Sequence, residues 1–269
     1  AKQAKVIHIE IDPAEINKNV KAEVAINADA KEALLALMPH VQERKHTAWI
    51  QEFKDCDAVE REKVIVKDFA LPENSIKMAN VVERISRKTN GEAIVVTDVG
   101  QHQMVVSRYY AFRGQDNNVT SGGLGTMGFA LPAAIGAKFA RPNDEVIAVI
   151  GDGGFQMTLQ ELGTIFQEET GVKIVLLNNN FLGMVRQWQQ LFFDRRYSFV
   201  ELKNPNFIKI AEGFGITARK IEHPSDLDGA LDEMLAHKGP YFLEVVVEKE
   251  ENVFPMVPTG ASVADIRLE

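Results

Sequence analysis

The residues best placed for chemistry are an acidic residue and a run of amides, each at the end of a short apolar segment. Residues 146–150 are apolar and precede Gly151 and Asp152, and residues 174–177 are apolar and precede three asparagines. Runs of four or five apolar residues are too short for a typical helix, so both segments are predicted to be buried strands. Carboxylate and amide oxygens are ligands that Mg²⁺ accepts together with water and phosphate oxygens.

The segment between these two strands is predicted to be a helix. Thr158 and Glu161 have the spacing of a capping box, apolar residues follow at helical intervals, and Gly171 can end the helix. Asp152 would then lie in the loop before the helix. Parallel strands joined by a helix end at the same edge of a sheet, so Asp152 and Asn179 are predicted to be neighbours.

The glycines beside Asp152 suggest what the metal would bridge. Gly151, Gly153 and Gly154 leave backbone N–H groups accessible to an anion, and the combination indicates a magnesium-bridged diphosphate. Taken singly, an Asp-Gly pair is more often only a turn, and asparagines after a strand commonly cap or turn the chain. Their occurrence together at two adjacent strand ends favours the binding site.

A third strand is predicted over residues 93–97, and Gly100, Gln101 and His102 follow its end. A lone histidine is more often solvated or part of a core, but this one would lie at the same sheet edge. Gly123, Gly125 and Gly128 match the dinucleotide-binding spacing, yet the polar residues 115–121 before them predict a loop, which argues against a nicotinamide site. These glycines would instead let the backbone pass close to a cofactor, with Met127 projecting beside it.

Composition and charge exclude several function classes. The 269 residues are 45% hydrophobic and 25% charged, with a net charge of −8 and no basic cluster, so nucleic acid and anionic membranes are poor partners. No apolar run approaches the roughly 18 residues of a membrane helix. A single cysteine, Cys56, excludes an internal disulfide, and the N-terminus does not resemble a signal peptide, so a cytoplasmic location is predicted.

The chain is predicted to contain four parts. Residues 1–40 resemble the closing β-α-β of a domain whose beginning is missing, and residues 41–74 are a charged helical linker with Trp49, Ile50 and Phe53 on one face. Residues 75–250 form an α/β domain, a doubly wound parallel sheet with helices on both faces. Residues 251–269 form a tail that folds over the site. Trp188 lies on a helix after the asparagines, where core packing is the usual role.

Several motifs resemble the catalytic subunits of the acetolactate synthase (acetohydroxyacid synthase) family. They are DVGQHQM, GLGTMGFALPAA, GDGGFQMTLQEL, LLNNNFLGMVRQWQQLFF and VFPMVP, between about residues 75 and 269. The first residues, VIHIEIDPAEINKN, resemble the end of that family's central FAD-binding domain. The GDG-to-NN pair is typical of the wider thiamine diphosphate family, whereas the GMVRQWQ and GQHQM segments are similar to acetolactate synthases in particular. The resemblance implies the thiamine diphosphate-binding fold.

The resemblance also implies roles for individual residues. Asp152, Asn179 and the main-chain oxygen of Phe181 would bind Mg²⁺. The diphosphate would contact Gln101, His102, Gly153 and Gly154, and the rings of the cofactor would contact Gly125, Met127 and Met184. Trp188, with Met184, would shape the pocket for the second substrate, and Glu10 would lie near the FAD nucleotide. The predicted cofactor-binding set is completed by Gly100, Gly151 and Gly183.

The activity that the resemblance implies is decarboxylation of pyruvate and condensation with a second 2-oxo acid, pyruvate or 2-oxobutyrate. The products are 2-acetolactate or 2-aceto-2-hydroxybutyrate, in branched-chain amino acid (valine and isoleucine) biosynthesis. The family implies a homo-oligomer, dimer or tetramer, and a possible small regulatory subunit. Its activating glutamate comes from an N-terminal domain outside this sequence, so the catalytic set is incomplete and the chain alone is expected to be inactive. The alternatives are another thiamine diphosphate-dependent decarboxylase or oxidase, and a non-catalytic magnesium-diphosphate-binding module.

Overall fold

A computed structural model describes residues 4–269 of the chain. By internal contacts the chain divides into two compact units, Ala1–Cys56 and Asp57–Glu269. The four-part division predicted from the sequence stays a prediction. Among the described residues, no helix is long and apolar enough to cross a membrane.

The first unit contains a two-stranded parallel sheet and a short helix. Strands β1 (Ile7–Glu10) and β2 (Val24–Asn27) pair in parallel, with a 3-10 turn at Pro13–Glu15 between them. Helix α1 (Ala30–Leu37) begins after Asp29, whose carboxylate accepts hydrogen bonds from the first turn of the helix. The asparagine side chain at the end of β2, Asn27, donates to the main-chain oxygens of Glu10 and Ile11 and so ties the two strand ends together.

Residues 47–69 are helical. They comprise α2 (Thr47–Glu60), a π-helical stretch at Arg61–Ile65, and α3 (Val66–Phe69). A π-helical stretch holds one extra residue per turn and shifts the faces of the helix on either side of it. The prediction of a helix in this charged segment is confirmed.

The second unit is built on six parallel strands in the order β4-β3-β5-β6-β8-β7. The strands are β3 (Ile94–Thr97), β4 (Asn118–Thr120), β5 (Val146–Gly151), β6 (Lys173–Asn178), β7 (Thr217–Ile221) and β8 (Tyr241–Val246). The helices are α4 (Met78–Lys88), α5 (Gln101–Tyr109), α6 (Ala130–Ala140), α7 (Asp152–Thr158), α8 (Leu162–Gln167), α9 (Gly183–Phe192), α10 (Phe207–Gly213) and α11 (Leu227–Ala236).

Alternate residues of the central strands face two separate hydrophobic cores. On one face, Ile147 and Val175 pack with apolar residues of α4, α5 and α11. On the other face, Ala148 and Ile174 pack with α6, α8 and α10. Helices therefore cover both faces of a parallel sheet, which explains why its strands are apolar throughout. The predicted fold class, a doubly wound α/β sheet, is confirmed.

Two local predictions are wrong. Helix α7 begins at Asp152 itself, and Thr158 does not cap a helix, because its hydroxyl donates to the main-chain oxygen of Gly128 at 3.0 Å. The residues before the glycine-rich segment are not entirely a loop, since Asn118–Thr120 forms the edge strand β4. In both cases a tertiary contact, with Gly128 or with β3, decides a structure that the local pattern does not encode.

Candidate active site

The site lies where β5 and β6 end. These strands pair in parallel, with Gly151 opposite Leu177, so Asp152 and the asparagine run emerge side by side. Asp152 is the first residue of α7 and Asn178 is the last residue of β6. The structure therefore brings together at one edge the two groups that the sequence places 27 positions apart.

The carboxylate of Asp152 is buried and has no cation beside it among the described residues. Its side chain accepts hydrogen bonds from Asn204 Nδ2 at 2.7 Å and from the main-chain N–H of Gly153 at 3.1 Å. Burial raises the pKa of Asp152 to about 6, and these hydrogen bonds offset only part of that effect. A buried carboxylate with hydrogen bonds but no opposite charge is suited to binding a cation.

The asparagine run is a tight turn held by its own side chains. Asn178 Oδ1 accepts from the N–H of Asn180 at 3.1 Å, and Asn179 Oδ1 accepts from the N–H of Phe181 at 3.0 Å. Asn180 has a φ of 57°, a left-handed conformation that asparagine tolerates better than most residues. Asn179 is only 3% exposed, so its amide is fixed at the site.

A cavity of about 150 Å³ opens between these loops. It is lined by the predicted residues from three strand ends and from the glycine-rich segment, together with five apolar side chains. The predicted residues are Gly100, Gln101, His102, Met127, Gly151, Asp152, Gly153, Gly154, Asn179, Phe181, Gly183 and Met184. The apolar additions are Met78, Val99, Leu177, Leu182 and Val185.

Three predicted residues do not line this cavity. Gly125 is exposed in the segment before α6. Trp188 lies one turn beyond Met184 on α9, where it is half-buried and packs against Phe192 with ring centroids 5.1 Å apart. Glu10 lies in the first compact unit, where its carboxylate accepts from the N–H of Asp12.

Asp98 is a site residue that the sequence reasoning missed. It follows β3, is completely buried, and accepts a hydrogen bond from the N–H of Gly128 at 2.9 Å while its other oxygen pairs with Nε2 of His102. A carboxylate can only accept, so Nε2 of His102 carries a proton and the ring is held with Nδ1 toward Gly100 and Gly151. Asp98 directly follows β3, as Asp152 directly follows β5. Searching the end of each predicted strand for an acidic residue would therefore have identified Asp98 from the sequence.

Gln101 connects the cavity to helix α9 and to the C-terminal segment. Its Nε2 donates at 2.8 Å to Gln187 Oε1 and to the main-chain oxygen of Glu251, whereas its buried Oε1 has no hydrogen-bond partner in the described chain. Gln187 also exchanges hydrogen bonds with the backbone of Val253. Residues 251–253 therefore pack beside the site, although no described residue beyond Val185 lines the cavity.

The buried Oε1 atom of Gln101, which has no hydrogen-bond partner in the described chain, is an acceptor that a hydrated magnesium ion would satisfy. Magnesium keeps several of its waters, and each of these waters can donate a hydrogen bond to an acceptor such as Gln101 Oε1. A Cβ atom on Gly183 would lie 2.2 Å from Gln101 Oε1 and 2.9 Å from Asn179 Nδ2, so glycine keeps these polar groups close to the backbone. In residues 4–269 no three His, Cys, Asp or Glu side chains form a metal cluster. The donor set is thus one carboxylate with amide and main-chain oxygens, which fits magnesium.

Comparison with known proteins identifies the family. The family described as thiamine pyrophosphate enzyme, C-terminal TPP binding domain, matches residues 98–245. The chain belongs to this family. The matched region begins at Asp98 and includes every strand end that contributes to the cavity.

The similar curated proteins are acetolactate synthases. The chain is 46% identical over 264 residues to the acetolactate synthase isozyme 2 large subunit of Escherichia coli (strain K12), covering 97% of this chain and 46% of that protein. It is 43% identical to the acetolactate synthase large subunit of Lactococcus lactis, covering 97% of this chain and 44% of that protein. It is 41% identical to chloroplastic acetolactate synthase 2 of Nicotiana tabacum, covering 100% of this chain and 42% of that protein. The chain thus spans a little under half the length of these relatives, and the resemblance noted in the sequence is confirmed.

Proposed function

We propose that this chain is the thiamine diphosphate- and magnesium-binding part of an acetolactate synthase catalytic subunit. The observation that carries the proposal is the convergence of a buried, uncompensated Asp152 carboxylate and the Asn179 amide on one cavity at the carboxyl edge of the sheet. Open α/β sheets bind ligands at this edge. The names of the relatives supply the reaction class.

In this proposal different groups of cavity residues bind the cation and the diphosphate. Asp152, Asn179 and the main-chain oxygen of Phe181 would hold Mg²⁺. Gln101, His102 and the glycine backbone at Gly153 and Gly154 would line the space that the diphosphate occupies. Asp98 would keep His102 in the orientation in which Nδ1 faces the glycines.

The apolar walls would hold the rings of the cofactor and exclude water. When bound, thiamine diphosphate supplies a thiazolium ring that takes up the electron pair released when a 2-oxo acid loses CO₂. Met127 and Met184 are flexible apolar side chains that can pack on a ring, and Leu182 and Val99 extend the same dry surface. Keeping water from the reacting carbon protects the product of decarboxylation until the second 2-oxo acid arrives.

The activity of the whole protein is proposed from the relatives. The substrates would be pyruvate with pyruvate or 2-oxobutyrate, within branched-chain amino acid biosynthesis. FAD near Glu10, a second-substrate pocket shaped by Trp188, a homo-oligomer and a small regulatory subunit also belong to the proposal. An activating glutamate would come from outside these 269 residues.

Cofactor binding is the first test of this proposal. Titration calorimetry of the purified 269-residue chain with thiamine diphosphate should give binding in the presence of Mg²⁺ and much weaker binding with EDTA, because Asp152 and Asn179 would hold the diphosphate only through a bound cation. Asp232→Asn, a change in an exposed acid of α11, should bind as the wild type does. Equal binding with and without Mg²⁺ would contradict the metal assignment.

Turnover is the second test. The same chain supplied with thiamine diphosphate, Mg²⁺, FAD and pyruvate should form acetolactate about 10²–10⁴-fold more slowly than a full-length enzyme, because the glutamate that the proposal places outside these residues would supply general acid/base catalysis of that size. A colorimetric assay for acetoin after acidification would detect the product. Turnover comparable to that of a full-length enzyme would show that these residues contain the complete catalytic set.

A further inference from the structure

The side chain of Asn204 lies against Asp152 and the asparagine turn, beside the proposed metal site, although it comes from a distant loop. Its Nδ2 is 2.7 Å from Asp152 Oδ2, 3.0 Å from Asn178 Oδ1 and 3.1 Å from Asn180 Oδ1. One amide group therefore contacts the acidic residue at the end of β5 and the asparagine turn at the end of β6.

The orientation of this amide is fixed by its other end. Asn204 Oδ1 accepts a hydrogen bond from Gln156 Nε2 at 2.9 Å, on helix α7. Asn178 is fixed as well, because its Nδ2 donates to Glu244 Oε1 at 2.8 Å, which leaves Oδ1 toward Asn204. These partners assign oxygen and nitrogen in each amide without ambiguity.

The loop that carries Asn204 is bonded to the asparagine turn through its backbone. The N–H of Leu202 donates to the oxygen of Asn180, and the N–H of Leu182 donates to the oxygen of Val200, each at 2.8 Å. Phe181 and Glu201 form an antiparallel bridge between the same two segments. Asn204 is thus placed against the turn by main-chain bonds that do not depend on its own side chain.

Asn204 supplies what a metal-binding carboxylate needs from its surroundings. A partner that bonds one oxygen of a ligand carboxylate fixes its orientation, so that less freedom is lost when the metal binds. The amide has two hydrogens for three acceptors, so it also keeps the oxygens of Asp152, Asn178 and Asn180 close together despite their mutual repulsion. No other side chain in the described part of the chain bonds all three.

We propose that Asn204 is a positioning residue for the divalent-cation site, holding the Asp152 carboxylate and the asparagine turn in the arrangement that binds the ion. The inference rests on the proposed function, because it assigns the cation to Asp152 and Asn179. Asn204 itself acts through these residues and does not coordinate the cation.

The chain offers a matched control two residues away. Asn206 has the same side chain on the same loop, but it caps α10 by accepting a hydrogen bond from the N–H of Lys209 at 3.0 Å. Loss of a cap lowers the stability of the helix that it begins. Asn206→Ala therefore destabilises the loop region without removing a contact to Asp152.

The experiment measures Mn²⁺ binding by electron paramagnetic resonance in the presence of thiamine diphosphate. Asn204→Ala should weaken Mn²⁺ binding by about 10- to 100-fold and broaden the signal of the bound ion, as expected when an outer partner is lost. Asn206→Ala should lower the unfolding temperature and leave the Mn²⁺ affinity unchanged. Gln156→Ala, which frees the other end of Asn204, should give a smaller loss of affinity, and it decides the question if Asn204→Ala does not fold.

The possible results test the proposed function and the role of Asn204 separately. If the wild-type chain does not bind Mn²⁺ with thiamine diphosphate, the proposed function fails. If the wild type binds and Asp152→Ala does not, but Asn204→Ala and Gln156→Ala bind as well as the wild type, the inference fails and the proposed function stands. A loss for Asn206→Ala as large as that for Asn204→Ala would also overturn the inference.

Discussion

Asp152→Asn should abolish magnesium-dependent binding of thiamine diphosphate and remove from the metal-free chain the loss of stability that the wild type shows as the pH rises through about 6. Asparagine has the shape of the carboxylate but not its charge, and Asp152, the one acid among the lining residues, faces no cation. The metal affinity should fall by more than the roughly 100-fold that loss of an outer partner can cause.

The pH dependence of stability follows from the raised pKa of Asp152. Burial raises this pKa from 3.8 to about 6, so the folded chain binds a proton more tightly than the unfolded chain does. The resulting stabilisation is complete below the unfolded value and is lost as the pH rises through about 6. A shift of this size corresponds to about 3 kcal/mol between acid and neutral conditions. The asparagine variant has no such dependence, and Mg²⁺ should restore stability to the wild type alone.

Urea unfolding without metal, at several pH values from 4 to 8, measures this difference. The free energy of unfolding of Asp152→Asn minus that of the wild type should grow as the pH rises through the pKa and then level off. Asp232→Asn, whose carboxylate pairs with Lys88 at the surface, is the control and should show no such growth. A difference that is the same near pH 4.5 and pH 7.5 would mean that the Asp152 carboxylate is not penalised by burial.

The sheet and its functional edge were predictable because the strands are buried on both faces. Short runs of apolar residues such as 146–150, ended by a glycine, favour interior strands over helices, and the direction of parallel strands then places Asp152 and Asn179 together. The helices covering both faces follow from the same argument. To place Asp152 beside Asn179 it is enough that consecutive strands lie next to each other, which is the usual arrangement when a short helical connection joins two parallel strands.

The parts that were missed depend on contacts between residues far apart in the chain. The loop that carries Asn204 has no periodicity, and nothing in its composition distinguishes Asn204, which binds Asp152, from Asn206, which caps a helix. Thr158 has the spacing of a cap but bonds to Gly128 instead. Local patterns identify elements, whereas the partner of a polar side chain is decided by the tertiary fold.

Gly154→Ala should be strongly destabilising and should remove cofactor binding as well. A Cβ atom at this position would lie 1.8 Å from Asp98 Oδ2 and 2.9 Å from Asp98 Cγ. Asp98 cannot move aside, because it is completely buried and held by both His102 and the N–H of Gly128. Forcing an atom into a packed site costs about 1–3 kcal/mol and occasionally more, and the rigid partner places this variant at the upper end.

Gly136→Ala is the matched control, since it makes the same change inside helix α6, where no atom lies within 4 Å of the added Cβ. That variant should be more stable than the wild type by about 1 kcal/mol, because alanine favours the helix over glycine. Thermal and urea unfolding of both variants, combined with Asp98→Ala in a double-mutant cycle, measures the clash directly. Removing the carboxylate removes the obstacle, so the cost of Gly154→Ala should be much smaller in the Asp98→Ala background than in the wild type. Additive costs would mean that Asp98 is not what confines position 154 to glycine.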